Sequence, residues 1–176
     1  MKIRFPAFAA LLLFPVTAYA QGPTIEIGSG LGASILTNGG SLTHIGVPGA
    51  GIVGQAPLFV NFFFGRGVLI QPEVSFNILS GGGETLTTLG VAGHLGYAFS
   101  GAAANSAYAS VGGAVQYADS DFGSNSEFGV GARVGYRVLV NTGFAIGFEG
   151  GFRRWFDSEV NEITIAIRLG GIVSAP

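Results

Sequence analysis

Cysteine is absent from this chain, which excludes disulfides, zinc–thiolate sites, a thiol nucleophile and a lipid anchor on cysteine. Lysine is absent beyond residue 20. There, six arginines stand against ten carboxylates, and the resulting net charge of −4 argues against nucleic acid as a partner. Charged residues make up only 10% of the chain against 48% hydrophobic, too few for the dense charged coat of a soluble domain. Yet no window holds eighteen uninterrupted apolar residues, so a transmembrane helix is not expected and the hydrophobicity must be spread over strands. Histidine is scarce too. His44 falls in a long loop near Ser41 and Thr43, and His94 falls in mid-strand between Ala92 and Gly96. Neither offers a triad or an H-x-x-x-H spacing, so no catalytic residue, no metal ligand and no cofactor is expected, and the chain does not read as an enzyme.

What the chain has in abundance is glycine, 31 in 176 residues, and alternation. Gly28-Ser29-Gly30-Leu31-Gly32 and Gly81-Gly82-Gly83 precede no amphipathic helix and no G-K-[ST] ending, so they read as strand and turn glycines, not a phosphate loop. Lys2 and Arg4, an apolar run from Phe5 to Val16, and Ala18-Tyr19-Ala20 read as a signal peptide over residues 1–20. Residues 21–176 are then expected to form a single domain.

The clearest stretch runs from Glu127 to Phe156. On its first arm Phe128, Val130, Ala132, Val134, Tyr136, Val138 and Val140 share one face, opposite Glu127, Arg133, Arg137 and several glycines. Period two means strand. The second arm sorts Phe144, Ile146, Phe148 and Phe152 from Ala145, Gly147, Glu149 and Arg153 in the same way. A three-residue loop of Asn141, Thr142 and Gly143 would set Val140 opposite Phe144, with glycine at the position that needs positive φ. A soluble barrel buries such an apolar face and a membrane barrel shows it to lipid. Glycine and isolated charges make sense crowded into a narrow lumen, not as a water-facing coat.

Further alternating segments read as strands at Thr24–Leu36, Leu58–Phe64, Val68–Ile78, Leu86–Phe99, Ala107–Tyr117 and Glu162–Leu169. With the two arms of the hairpin they number eight. In the second, Phe59 and Phe63 share the inward face with Asn61; in the third, Pro72 predicts a bulge or irregularity. The segments 37–56, 80–85 and 119–125 read as loops, although Ile45-Gly46-Val47 could extend a strand into the first. Gly65-Arg66-Gly67 reads as a tight turn. Short turns follow the second, fourth and sixth strands, with the longer loops at the other end, and eight strands leave both termini on the short-turn side. The fold expected is all-β, an eight-stranded antiparallel up-and-down transmembrane barrel.

The inward face collects Glu26, Glu73, Glu149 and Glu162 with Arg133, Arg137, Arg153 and Arg168. Turned outward, each arginine near the bilayer midplane would cost about 2–4 kcal/mol, so the charges must face the lumen and pair there. Arg154, Trp155 and Phe156 stand where the seventh strand should leave the membrane and are expected to anchor it at the interface.

The cleavable signal, the eight alternating strands and the glycine-rich inner face with balanced Glu and Arg together resemble the small bacterial outer-membrane β-barrel family, the OmpA/OmpX type. The resemblance covers about Thr24 to Val173. It implies a Gram-negative-type cell envelope, insertion by the barrel-assembly machinery with periplasmic chaperones, contact with outer-membrane lipid and lipopolysaccharide, a monomer, and both termini in the periplasm. The chain departs from the family by ending Gly170-Gly171-Ile172-Val173-Ser174-Ala175-Pro176 without a terminal aromatic, and no appended peptidoglycan-binding domain is expected. The function expected is a structural or surface-interaction outer-membrane barrel with at most weak pore activity. The alternatives are a porin-like channel for small solutes and a secreted soluble barrel that binds an apolar ligand.

Overall fold

The computed structural model describes residues 24–37, 44–46, 58–81, 84–120 and 123–174. Its strands are β1 (Thr24–Thr37), β2 (His44–Gly46), β3 (Leu58–Phe64), β4 (Val68–Gly81), β5 (Glu84–Ala98), β6 (Ser106–Ser120), β7 (Gly123–Asn141), β8 (Phe144–Trp155) and β9 (Asn161–Ser174). The eight long ones, β1 and β3 to β9, pair antiparallel in chain order, and β1 meets β9 along its whole length from Thr24–Ser174 to Thr37–Asn161. That last ladder closes the sheet, so an eight-stranded barrel stands as expected and its walls have no free edge along β9. The small strand β2 lies on the other edge of β1, with His44 opposite Leu36 and Gly46 opposite Ser34. His44 therefore belongs to a strand and not to an irregular loop; Val47 and the signal segment lie outside the described residues.

Alternation sorts the side chains as the pattern requires. On β9 Ile165 is 68% exposed and Arg168 4%, and on β7 Val134 is 64% exposed and Arg137 3%. The apolar face looks outward all round, the reverse of a soluble ligand-binding barrel. Outer aromatics gather near both ends: Tyr97 meets Phe99 edge-on at 5.7 Å near the short turns, and Phe128 stacks on Phe156 at 5.7 Å near the opposite rim.

Of three local expectations, two are corrected and one holds. The β7–β8 turn is not a three-residue loop with Val140 opposite Phe144: Asn141 pairs with Phe144, and the register shifts between Leu139 and Asn141. The Asn141 side chain accepts a hydrogen bond from the Gly143 N–H at 2.8 Å, an Asx turn that supplies the reversal without a left-handed φ at Gly143. At Gly65-Arg66-Gly67 the expected pairing of Phe64 with Val68 is present, with φ of 52° at Gly65 and 134° at Gly67. Pro72 causes no bulge. Pairing with β3 runs Leu58–Val74 and Phe59–Glu73 and resumes at Phe62–Ile70 in the same register, so the missing proline N–H interrupts the ladder without displacing it.

The segments read as loops at 80–85 and 119–125 are largely strand. Gly81 pairs with Glu84, and Ser120 pairs with Gly123, so two residues separate each pair against seven between Ala98 and Ser106; the expected contrast of short turns at one end and longer loops at the other holds only for the connection from β1 to β3. Glycine, serine and aspartate disfavour strands locally, but each segment continues a hairpin whose ladder is already running, and neighbouring pairs recruit it.

Candidate functional site

Inside the barrel the four glutamates and four arginines form three tiers, each electrically neutral. The lowest, nearest the short turns, joins Arg137 on β7 to Glu26 on β1, Nε to Oε2 at 2.6 Å. Glu26 also accepts from Asn61 Nδ2 at 3.3 Å, and the Arg137 guanidinium lies 5.0 Å from the Phe63 ring centroid. Its Nη1 donates to the Ala102 carbonyl at 2.8 Å, tying the segment between β5 and β6 to the lumen wall. Beside this pair Phe63, Leu69, Ala98 and Tyr108 pack together as a buried apolar cluster, with Ala102 against it. Apolar rings and an ion pair thus fill this end of the lumen.

The middle tier is a four-membered network. Arg133 grips Glu73 with two parallel bonds, Nη1 to Oε1 at 2.6 Å and Nη2 to Oε2 at 2.9 Å. Arg168 Nη2 bridges Glu73 Oε1 at 2.6 Å and Glu149 Oε1 at 2.8 Å, and Tyr108 donates its hydroxyl to Glu149 Oε2 at 2.9 Å. Arg168 also lies 4.9 Å from the Phe59 ring centroid. The bidentate fork is the strongest geometry available to an Arg–carboxylate pair, and multiple partners are what allow these charges to stay buried.

The upper tier is looser. Arg153 Nη1 stands 3.5 Å from Glu162 Oε2, and the same carboxylate oxygen accepts from Trp155 Nε1 at 3.0 Å. Arg153 also covers the Trp155 ring at 5.1 Å. Between this tier and the middle one lies a cavity of about 120 Å³ reached by His94, Arg133, Arg153, Trp155 and Thr164. A second void, of about 10 Å³, adjoins Gln71, Asn61 and Arg168. That is room for about one water, and the carbonyl oxygens of Asn61 and Gln71 have no protein partner there.

Glycines make the space for these side chains. A Cβ at Gly112 would come within 2.6 Å of His94 Nδ1, and one at Gly135 within 2.4 Å of the Tyr108 ring. The glycine-rich inner face is what lets long arginines and a tyrosine cross a narrow barrel.

Trp155 is no interfacial anchor. It is buried in the lumen, because it shares the parity of Arg153 and its indole N–H has a carboxylate to meet. Of the expected anchors, Arg154 reaches the Glu159 carbonyl at 2.6 Å and Asn161 Oδ1 at 3.2 Å, and Phe156 is exposed and stacked on Phe128. Gln71 lies buried on the inward face with Glu73, as its parity requires, whereas Tyr108 and Leu69 were not singled out from the sequence, although they stand on the inward parity of Ser110 and Glu73. Parity was the signal that could have found Trp155, Tyr108 and Leu69. Among the described residues no group of histidines and carboxylates could hold a metal ion.

The closed eight-stranded antiparallel barrel with its apolar face outward is the fold of the small outer-membrane barrels. Neisserial surface protein A matches over 84% of this chain and 96% of its own, with a TM-score of 0.59 at 8% identity. Ail, the attachment invasion locus protein of Yersinia pestis, matches over 88% and 100% with 0.53 at 13%, and the outer membrane protein OprG from Pseudomonas aeruginosa over 88% and 97% with 0.52 at 11%. At such identities the likeness is one of fold. No family model matches the chain, and no curated protein matches it.

Proposed function

We propose that this chain is an integral outer-membrane protein with a structural or surface-interaction role, whose lumen is a packed core and not a conduit. The observation that carries the reading is the filled short-turn end, where Phe63, Leu69, Ala98 and Tyr108 pack beside the Arg137–Glu26 pair. An eight-stranded barrel is just wide enough for its own side chains, and at this end they occupy it. With that end filled, specific work falls to the outer rim and the apolar belt; neighbours of the same fold carry names such as surface protein and attachment invasion locus protein.

In this reading both termini are periplasmic: eight strands return the chain to the side on which Thr24 and Ser174 pair, opposite the long connection from β1 to β3. The partners are outer-membrane lipid and lipopolysaccharide, with the barrel-assembly machinery and periplasmic chaperones during biogenesis. The protein works as a monomer, without catalysis, cofactor or nucleic acid. A porin-like channel is the second reading, favoured by the 120 Å³ cavity in the upper lumen.

The test is to express the chain, isolate outer membranes, compare gel mobility with and without boiling, and record the purified protein in planar bilayers. A heat-dependent shift with a silent bilayer supports the proposal. Frequent discrete steps that change when Arg137 or Glu149 is neutralised would replace it with the channel, and soluble protein with no shift would overturn both.

A further inference from the structure

The turn between β5 and β6, residues 99–105, is the longest of the three at its end of the barrel; the others are residues 65–67 between β3 and β4 and 142–143 between β7 and β8. It does not hang free. The Ala102 side chain packs against the buried cluster of Phe63, Leu69, Ala98 and Tyr108, and the Ala102 carbonyl accepts from Arg137 Nη1 at 2.8 Å. Further along, Asn105 Oδ1 accepts from the Leu139 N–H at 2.8 Å. The β6–β7 ladder stops at Ser106–Arg137, so this amide lies just past its last strand partner and Asn105 supplies the acceptor in its place. Ser106 Oγ accepts from the Ser100 N–H at 2.8 Å and draws the two ends of the turn together, while Gly101 reverses the chain with φ of 75°.

Phe63–Leu69 and Ala98–Tyr108 are the last inward-facing pairs before their turns, the row at which an open barrel would meet water. Leu69 is nonetheless 2% exposed and Ala98 1%. We propose that the β5–β6 turn is a strap closed across this mouth of the barrel, latched at Ala102 by Arg137 and at Asn105 by Leu139, and that it shuts water and solutes out of the lower lumen. The strap is held to the wall by side-chain packing and single hydrogen bonds, whereas β5, β6 and β7 are tied by continuous ladders. It is therefore the part of this end that opens first. The inference rests on the reading of this end as filled, and adds which element keeps it dry.

The chain has no cysteine, so a single introduced thiol reports without background. Leu69→Cys places one in the cluster that the strap covers. Its rate of modification by a charged methanethiosulfonate reagent is measured on folded protein in detergent, with heat-dependent gel mobility as the check on folding. With the strap intact, modification is expected to be slow. Deleting residues 101–104 leaves a turn as short as that at residues 65–67 and should speed modification at least about tenfold in the same background. Asn105→Ala and Ala102→Gly keep the length of the turn and remove one contact each; they should speed it about three- to fivefold and serve if the deletion fails to fold. Equally slow modification in every folded variant would overturn the strap and leave the filled end standing. Modification as fast with the strap intact as in urea-unfolded protein would overturn both.

Discussion

The two halves of the lumen are built from the same residue types to different effect. Toward the short turns, arginine, glutamate and tyrosine are interleaved with Phe59, Phe63 and Leu69, and the space left is about 10 Å³. Toward the other rim Trp155 and His94 stand among glycine, alanine, serine and threonine at most of the remaining inward positions, and about 120 Å³ stays open. Ion pairs occur in both halves, so charge alone does not decide whether a small barrel is filled. What decides it is whether the inward positions between the charges hold aromatic rings or small residues.

That contrast can be broken most strongly at the middle tier, which both halves share. Replacing Arg133 with glutamine removes the fork on Glu73 and the contact to Glu149, leaving buried carboxylates with too few partners. A loss of about 3–5 kcal/mol is expected, read as a lower urea midpoint for unfolding in lipid vesicles. Arg66→Ala, in an exposed turn, should shift the same midpoint by no more than about 0.5 kcal/mol. Equal shifts would mean that the network adds nothing to barrel stability.

Gly67→Ala tests the closed end from its turn. The glycine holds φ at 134°, and a Cβ there would lie 2.1 Å from the Ala98 carbonyl oxygen, so a loss of about 2 kcal/mol is expected in the same assay.

Arg137→Ala addresses the filling itself. It frees Glu26 and releases the Ala102 carbonyl, so conductance steps in planar bilayers should appear or lengthen several-fold, while Arg153→Ala in the already open half should leave the trace silent. The reverse ranking would locate the barrier at the other rim. Among the lumen variants Trp155→Phe gives the smallest effect. It keeps an aromatic ring but loses the second ring of the indole and one hydrogen bond to Glu162, which should cost about 1–2 kcal/mol.

Much of this was legible in residue order. Period two placed Phe59, Asn61 and Phe63 on one face, and the structure buries all three. The same rule, applied without exception, would have put Trp155 beside Arg153 inside the barrel; the general preference of tryptophan for membrane interfaces obscured it. Tyr108 was open to the same inference. The paired segments on either side of 82–83 and 121–122 were hidden for another reason, since a strand rich in glycine, serine and aspartate owes its conformation to the ladder beside it and not to its own composition.

By itself the sequence determined the number of long strands, the face each side chain takes and the sign of the apolar surface, because alternation is a local property of an extended chain. Only the tertiary structure decided that Glu73 meets Arg133 and Arg168, that Glu26 meets Arg137, and that one half of the lumen is full and the other is not. Those contacts cross the barrel between strands far apart in the chain. Tilt, stagger and closure of all eight strands jointly set which side chains reach one another, and no single strand carries that information.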